Sequence, residues 1–382
     1  MRRILYVCST LANEGPTIHL RTLLGRLDRT AFEPEILTLS PEPPESLWNE
    51  FVEQGVACHS LAMNRGKGLF FAASRLRSYL DATQYDVIHS SGFRADVLSS
   101  MVACRIMRVC TRHELFHSLH VAWHGPVLGR IMEYLHCRAL SRMDYIVVCS
   151  ETVKQSAPKR LQEKIAVIRN CVDYGVYRPA DPEEKRILRA ELGLPAHCSI
   201  IVFMGRVDKC KDVATVIAGF LRSRFHDKAF LVIVGDGPAK RYCEELAGNA
   251  PRITFVGFSK QAEKYLRAAD IYVSASWLEG LPLSVIEALA CGLPCVVSDI
   301  GAHRELASLV PGVVLFPTQD AVGLARALER GLAADPCESR IATEIVRERL
   351  GPEIMAQSYR EIFESMIRVR PSDMQENLLC ES

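Results

Sequence analysis

The sequence predicts an α/β protein built from two tandem parallel-sheet domains, and three observations carry that expectation. Its 382 residues exceed what one hydrophobic core usually serves. Short β-branched runs alternate with longer helix-period stretches throughout, the mark of βαβ units. And the alternation runs in two series, separated by "NCVDYGVYRPADPEEK", whose prolines and charges mark a linker.

In the first series the strand candidates are "RILYVCS", "EPEILTLS", "DVIHS", "RVCTR" and "DYIVVCS". Helix-period stretches such as "SLWNEFVEQ" and "ADVLSSMVACRI" lie between them. In the second series they are "SIIVFMG", "AFLVIVG", "RITFVG", "DIYVSAS" and "PCVVSD". The expected boundaries are 1–175 for the first domain and 176–352 for the second. A last helix over about 353–370 returns to the first, and 371–382 form a tail. Open α/β sheets bind ligands beyond the carboxyl ends of their strands, so two facing sheets would enclose a cleft.

Composition narrows the function. Charged residues at 24% and a formal net charge of +1 exclude strong steering toward nucleic acid. The charge is uneven: residues 1–180 carry +5 and residues 181–382 carry −4, with 8 of the 11 histidines in the first part. The 14 cysteines form no C-x-x-C pair and sit mostly in apolar runs, which suits reduced thiols in a cytoplasmic protein. The opening "MRRILYVCSTLANEG" is too short in its apolar run for a signal peptide and reads as a first strand. No window reaches transmembrane length.

Three stretches carry candidate chemistry. After "SIIVFMG", Gly205 and Arg206 end a strand and Lys211 precedes the helix "VATVIAGFLRS", a suitable anion site at a helix N-terminus. In "VIVGDGPAK", Gly235 and Gly237 would let backbone approach a ligand. With Lys240 at the third glycine position it is no nicotinamide fingerprint. In "WLEGLPLSVIEALACG", Pro282 can start and Gly292 end a helix. That puts Glu279 in the preceding turn and Glu287 on the helix, with amides of Gly280, Leu281, Leu283 and Ser284 aimed at an anion. Each has an ordinary reading too: solvated cations, a tight turn, an amphipathic helix.

Taken together, the residues resemble a known family. E-x7-E from Glu279 to Glu287, inside "S-x-x-E-G-L-P-L-x-x-I-E-A-L-A-C-G-x-P-x-V", is similar to the donor-site signature of retaining glycosyltransferases of the GT-B fold, family 4 (group 1). "GRVDKCKD", "VGDGP", "VIRNCVDYGVYRP" and "DVIHSSGFRADVLSS" match further motifs in order, so the resemblance spans nearly the whole chain.

The resemblance implies a GT-B fold of two Rossmann-like domains facing a central cleft, and transfer of a sugar from a nucleotide-sugar, UDP-linked by preference or GDP-linked, to a hydroxyl of a glycan or lipid-linked acceptor. Arg206 and Lys211 would hold the diphosphate, Glu287 the ribose hydroxyls and Glu279 the donor sugar. Gly280 to Ser284, including Pro282, would contact sugar and phosphate, while Phe258 would lie against the base. Gly15, in the glycine loop after the first strand, and His113, after "RVCTR", would meet the donor sugar, His113 with a proton-handling role. Neither metal nor cofactor is expected, and no D-x-D motif occurs. The family departures are Pro16 after Gly15, Arg169 and Cys171 in the linker, and Asp212 for a glycine after Lys211. The alternatives are a nucleotide-sugar 2-epimerase and a non-catalytic nucleotide-sugar-binding subunit.

Two further patterns stand apart. His113, His117, His120 and His124 are spaced by 4, 3 and 4, so one helical face could present them as an acceptor-facing wall, as half-buried histidines or as zinc ligands. "NRGKGLFFAASRLRSYL" combines Arg65, Lys67, Arg75 and Arg77 with Leu69, Phe70 and Phe71. It reads as a peripheral contact with an anionic membrane or as a helix packing its aromatic face on the sheet.

Overall fold

A computed structural model describes residues 1–64, 69–102, 106–116 and 119–368. Arg65, Lys67 and His117, and the tail expected over 371–382, lie outside the described residues. The chain divides into two compact units: Met1–Arg169 with the chain from Pro352 onward, and Asn170–Gly351. The break thus falls six residues before the expected 175/176. Asn170 Nδ2 donates to the Leu281 carbonyl at 2.7 Å and the Val172 amide to that of Leu350 at 3.0 Å, which ties the linker to the second unit.

Unit 1 is built on β1 (Arg2–Cys8), β2 (Phe32–Thr38), β3 (Ala57–Ser60), β4 (Val87–Ser91), β5 (Met107–Arg112), β6 (Tyr145–Val148) and β7 (Ile165–Val167). They form one parallel sheet in the order β3-β2-β1-β4-β5-β6-β7. Central strands of such a sheet are covered on both faces, so they read as continuous apolar runs. Ile4 to Val7 of β1 are accordingly buried throughout. The returning helix Pro352–Arg368 packs on the helix Gly15–Arg26 and buries Tyr359 and Phe363, the latter 5.8 Å from the Phe32 ring.

Unit 2 repeats the plan with β8 (Ser199–Met204), β9 (Ala229–Val234), β10 (Ile253–Gly257), β11 (Ile271–Ser274), β12 (Cys295–Ser298) and β13 (Val313–Phe316), in the order β10-β9-β8-β11-β12-β13. Its core interleaves Ile201, Phe203, Ile233 and Val273 with Val216, Ile217 and Phe220 of the helix Val213–Arg222. Both sheets therefore reverse direction of growth once, between β1 and β4 and between β8 and β11. In open sheets of this kind ligands bind at such points, outside the carboxyl ends of the strands. The three strands missing from the sequence reading, β3, β7 and β13, are edge strands of three or four residues, too short for a period to register.

Candidate active site

The reversal point of unit 2 brings together the segments that follow β8 and β11. Beyond β8 the chain turns at Gly205, and the Asp208 carboxylate accepts from the amides of Cys210 and Lys211 at 2.9 and 3.1 Å. Beyond β11, the Trp277 amide donates to the Cys210 carbonyl at 3.0 Å and its indole N–H to the Lys209 carbonyl at 2.6 Å. Trp277, with no place in the sequence reading, is what fastens one loop to the other.

Across this seam Lys211 Nζ lies 2.5 Å from Glu279 Oε1, and both side chains are largely shielded from water. Burial works against ionisation of Glu279, yet the charge and hydrogen bond of Lys211 outweigh it. With a further bond from Ser276, they hold the carboxyl below the ordinary value. Arg206 is half-exposed beside Asp208, its Nε 3.6 Å from the carboxylate. The two cations expected at an anion site are therefore both here, one already bound to an acid that the sequence placed separately.

Gly235 and Gly237 pack one loop against another. At φ +138° Gly235 leaves no room for a side chain: an added Cβ would lie 1.8 Å from the Gly205 carbonyl oxygen. One at Gly237 would lie 2.4 Å from that of Val207. The two loops hydrogen-bond, Gly205 to Val234 at 3.0 Å and Val207 to Asp236 at 2.9 Å. These glycines let one backbone approach another backbone, a contact that sequence spacing does not carry.

Helix Leu283–Ala290 begins one residue later than expected, with Pro282 as its extended N-cap and no side-chain cap. Its first amides therefore have no partner within the helix. Leu281 is buried and gives its carbonyl to Asn170, while the Ser284 hydroxyl accepts from Tyr272 at 2.8 Å, so both act partly as structure. Glu287 faces inward. Burial pushes its pKa up to about 7, opposed by a hydrogen bond from the Tyr177 hydroxyl, a linker residue that sequence reasoning passed over. His303, fully buried, bonds through Nδ1 to the Ser298 carbonyl at 2.7 Å, and burial holds its pKa below the ordinary value. Phe258 is 55% exposed on the loop after β10, free of the core.

In unit 1, Gly15 opens the helix Gly15–Arg26 beyond β1, and His113 follows β5 directly. The His113 ring is 4.9 Å from that of His19, whose Nε2 lies 3.1 Å from the Tyr359 hydroxyl. Tyr359 continues to Thr111 at 2.8 Å and Thr111 to His89 at 2.7 Å. Burial drives the His89 pKa down to about 3, with His113 adding to the effect. Sequence reasoning could not find this chain, because its central hydroxyl arrives from a helix more than two hundred residues away.

His113 does not share a helical face with His120 and His124, which stack at 6.5 Å. His113 lies in the turn after β5, His120 is buried in the short helix Leu119–His124, and His124 is exposed. His120 also meets His136 at 3.2 Å and Glu133 at 3.8 Å, both from the helix Pro126–Leu140. Ligand atoms of these three lie within 4.8 Å of one another. Arg112 already supplies a cation, bonding both oxygens of Glu133 at 3.1 Å and His136 Nδ1 at 2.8 Å, while His136 Nε2 reaches Asp96 at 2.8 Å. A divalent ion would have to sit against that guanidinium, so the donor set does not suit a metal.

Two family models match the chain: Glycosyltransferase Family 4 over residues 14–175 and Glycosyl transferases group 1 over residues 198–334. The chain belongs to the group 1 glycosyl transferases. It is accordingly an enzyme of the hexosyltransferase type. This glycosyltransferase is 25% identical over 325 residues to an uncharacterized glycosyltransferase of Methanocaldococcus jannaschii, covering 79% of this chain and 81% of the relative. It is 26% identical over 246 residues to the UDP-Gal:alpha-D-GlcNAc-diphosphoundecaprenol alpha-1,3-galactosyltransferase of Escherichia coli, covering 60% and 62%. Among solved structures, the Anabaena protein HepE in complex with UDP-glucose superposes with a TM-score of 0.80 at 18% identity, covering 96% of this glycosyltransferase and all of HepE. The fold is thus GT-B in type, two Rossmann-like parallel-sheet units.

Proposed function

We propose that this glycosyltransferase moves a sugar, with retention at the anomeric carbon, from a UDP-sugar or GDP-sugar to a hydroxyl of a glycan or lipid-linked acceptor. The observation that carries the reading is the pairing of Lys211 with Glu279 beside Arg206, at the reversal point of the unit 2 sheet and ahead of the open helix end at Leu283. An anion of two charges entering there draws Lys211 from Glu279, joins Arg206, and leaves the carboxylate to accept from sugar hydroxyls.

Glu287 takes the ribose hydroxyls in this reading, and the exposed Phe258 offers a face to the base. Protein cations and helix amides then do what a metal would do, so the reaction runs without one. The acceptor oxygen bonds to the anomeric carbon on the face from which the phosphate oxygen departs, and the acceptor proton passes to that phosphate. Gly15 and His113 are assigned to the donor sugar by the family resemblance.

Support for UDP comes from HepE, solved with UDP-glucose, and from the Escherichia coli galactosyltransferase, which uses UDP-galactose and a lipid-diphosphate acceptor. A cytoplasmic setting agrees with free thiols such as Cys110, Cys243 and Cys295.

The test is a thermal-shift screen against UDP-, GDP-, ADP- and TDP-sugars, since a ligand that binds only the native state raises its melting temperature. R206A/K211A should abolish the shift; a double variant that still binds and turns over the donor refutes the reading. Product analysis with and without acceptor separates transfer from epimerisation, and the anomeric proton coupling of the product reports retention.

A further inference from the structure

Helix Pro126–Leu140 has two unlike faces. Its inner face holds Gly129, Glu133, His136, Cys137 and Leu140, all buried. An added Cβ at Gly129 would lie 2.5 Å from the His120 carbonyl oxygen, so the preceding helix crosses it at backbone contact. With Glu133 and His136 locked to Arg112 and Asp96, this face is fixed to β5 and to the helix Phe93–Met101.

The outer face is apolar and in water. Val127 is 73% exposed, Leu128 and Ile131 53%, Tyr134 61% and Leu135 42%. At about 100° per residue these five fall within roughly 120° of arc, a stripe about 12 Å long. Trp123, on the preceding helix, is exposed to a similar degree. Isolated surface hydrophobes need no explanation, but a continuous stripe on a rigid helix does.

The charges around the stripe name its occupant. Arg130, Arg138 and Arg142 are exposed, and Glu133, turned inward, is the only acid from residue 115 to residue 143. Apolar and aromatic side chains on one face, bordered by arginines and no exposed carboxylate, are the composition of a helix that lies in a membrane interface. We propose that the helix Pro126–Leu140 docks unit 1 on an anionic lipid bilayer, the stripe entering the headgroup boundary and the arginines meeting lipid phosphates.

On the 65–77 stretch Phe71 is also exposed, at 56%, and Arg65 and Lys67 lie outside the described residues. There Arg75 is engaged with the Leu61 carbonyl, and the helix Leu69–Asp81 turns Ala72, Leu76 and Leu80 into the core. The proposal does not depend on the donor reading, though the two together would bring the enzyme to a lipid-linked acceptor.

The test is flotation of the full chain with phosphatidylglycerol-containing and with purely zwitterionic vesicles, at low and high salt. Binding is expected to the anionic vesicles and to weaken with salt. Ile131→Glu should lower it about tenfold or more, and Arg138→Glu with Arg142→Glu by about fivefold per charge or more. In each variant the UDP-induced thermal shift should equal that of the parent. Failure of the parent to float, binding indifferent to Ile131→Glu, or a dimer that Ile131→Glu dissociates without any vesicle binding overturns the proposal. Loss of the UDP shift in the parent, with flotation intact, overturns the donor reading instead.

Discussion

Replacing Glu287 by Gln should make this glycosyltransferase more stable above neutral pH while weakening its grip on donor. The carboxyl is buried and its pKa stands at about 7, against an ordinary 4.5. Because the folded value is the higher, the folded state holds the extra proton between these two values, and stability declines as pH rises through that window. The shift of about 2.5 units, at about 1.4 kcal/mol each, amounts to about 3 kcal/mol by pH 8 and under about 1 kcal/mol at pH 5. Glutamine keeps an oxygen for the Tyr177 hydroxyl and carries no charge, so it removes the penalty and retains the bond. For a unit of this size the gain corresponds to roughly 6–12 °C in the unit 2 transition at pH 8. Thermal unfolding of parent and variant at pH 5 and pH 8 measures it. A stability difference that is the same at both pH values, or a variant less stable at pH 8, would show that burial does not set the state of Glu287.

Three other outcomes follow from the same geometry. If ribose hydroxyls donate to Glu287, they favour its ionised form, so UDP binding near neutral pH should release protons and tighten as pH rises through 7; calorimetry in buffers of different ionisation enthalpy reads this directly. Asp212 sits at φ +47°, a left-handed conformation that favours glycine, and offsets it by accepting from the Thr215 amide and hydroxyl. Asp212→Gly should therefore change denaturant stability little, whereas Asp212→Ala, losing the cap but keeping the strain, should cost about 1–2 kcal/mol. Glu133→Ala leaves Arg112 buried without its bidentate partner and should cost about 3–5 kcal/mol in unit 1, read by urea denaturation; a cost under 1 kcal/mol would mean that the guanidinium is hydrated after all.

The central strands and the helices around the donor motifs were legible because apolar runs and helix periods are local properties. So was the departure at Asp212, whose φ of +47° is one that glycine adopts without strain. What the sequence could not convey is which residues meet. Glu279 and Lys211 were read as separate contacts with a ligand, yet they hold one another, because the β8 and β11 loops adjoin in a sheet whose strand order is not the chain order. Tyr177 lies inside the linker motif and His303 and Tyr359 in none, and the contacts of all three entered through tertiary structure alone. The histidine series shows the same limit: a shared face over its 4-3-4 spacing needs one continuous helix, whereas the strand β5 ends just before His113 and the helix holding His120 starts only at Leu119.

The backbone contact of Gly235 on Gly205 bears on how this enzyme's substrate range can change. Two loops that touch through their main chains, with no side chain between them as a cushion, share a single shape. A drift in one must be matched in the other, and point substitution at either meets carbonyl oxygen rather than a yielding rotamer. Under the donor reading proposed above, in which Phe258 faces the base, variation in nucleotide preference would fall to the exposed Phe258 side chain, while its loop too is tied to Gly235 through the Gly257 carbonyl at 2.8 Å. An engineer wishing to redirect this glycosyltransferase to another base would begin at Phe258 and leave the two glycines alone.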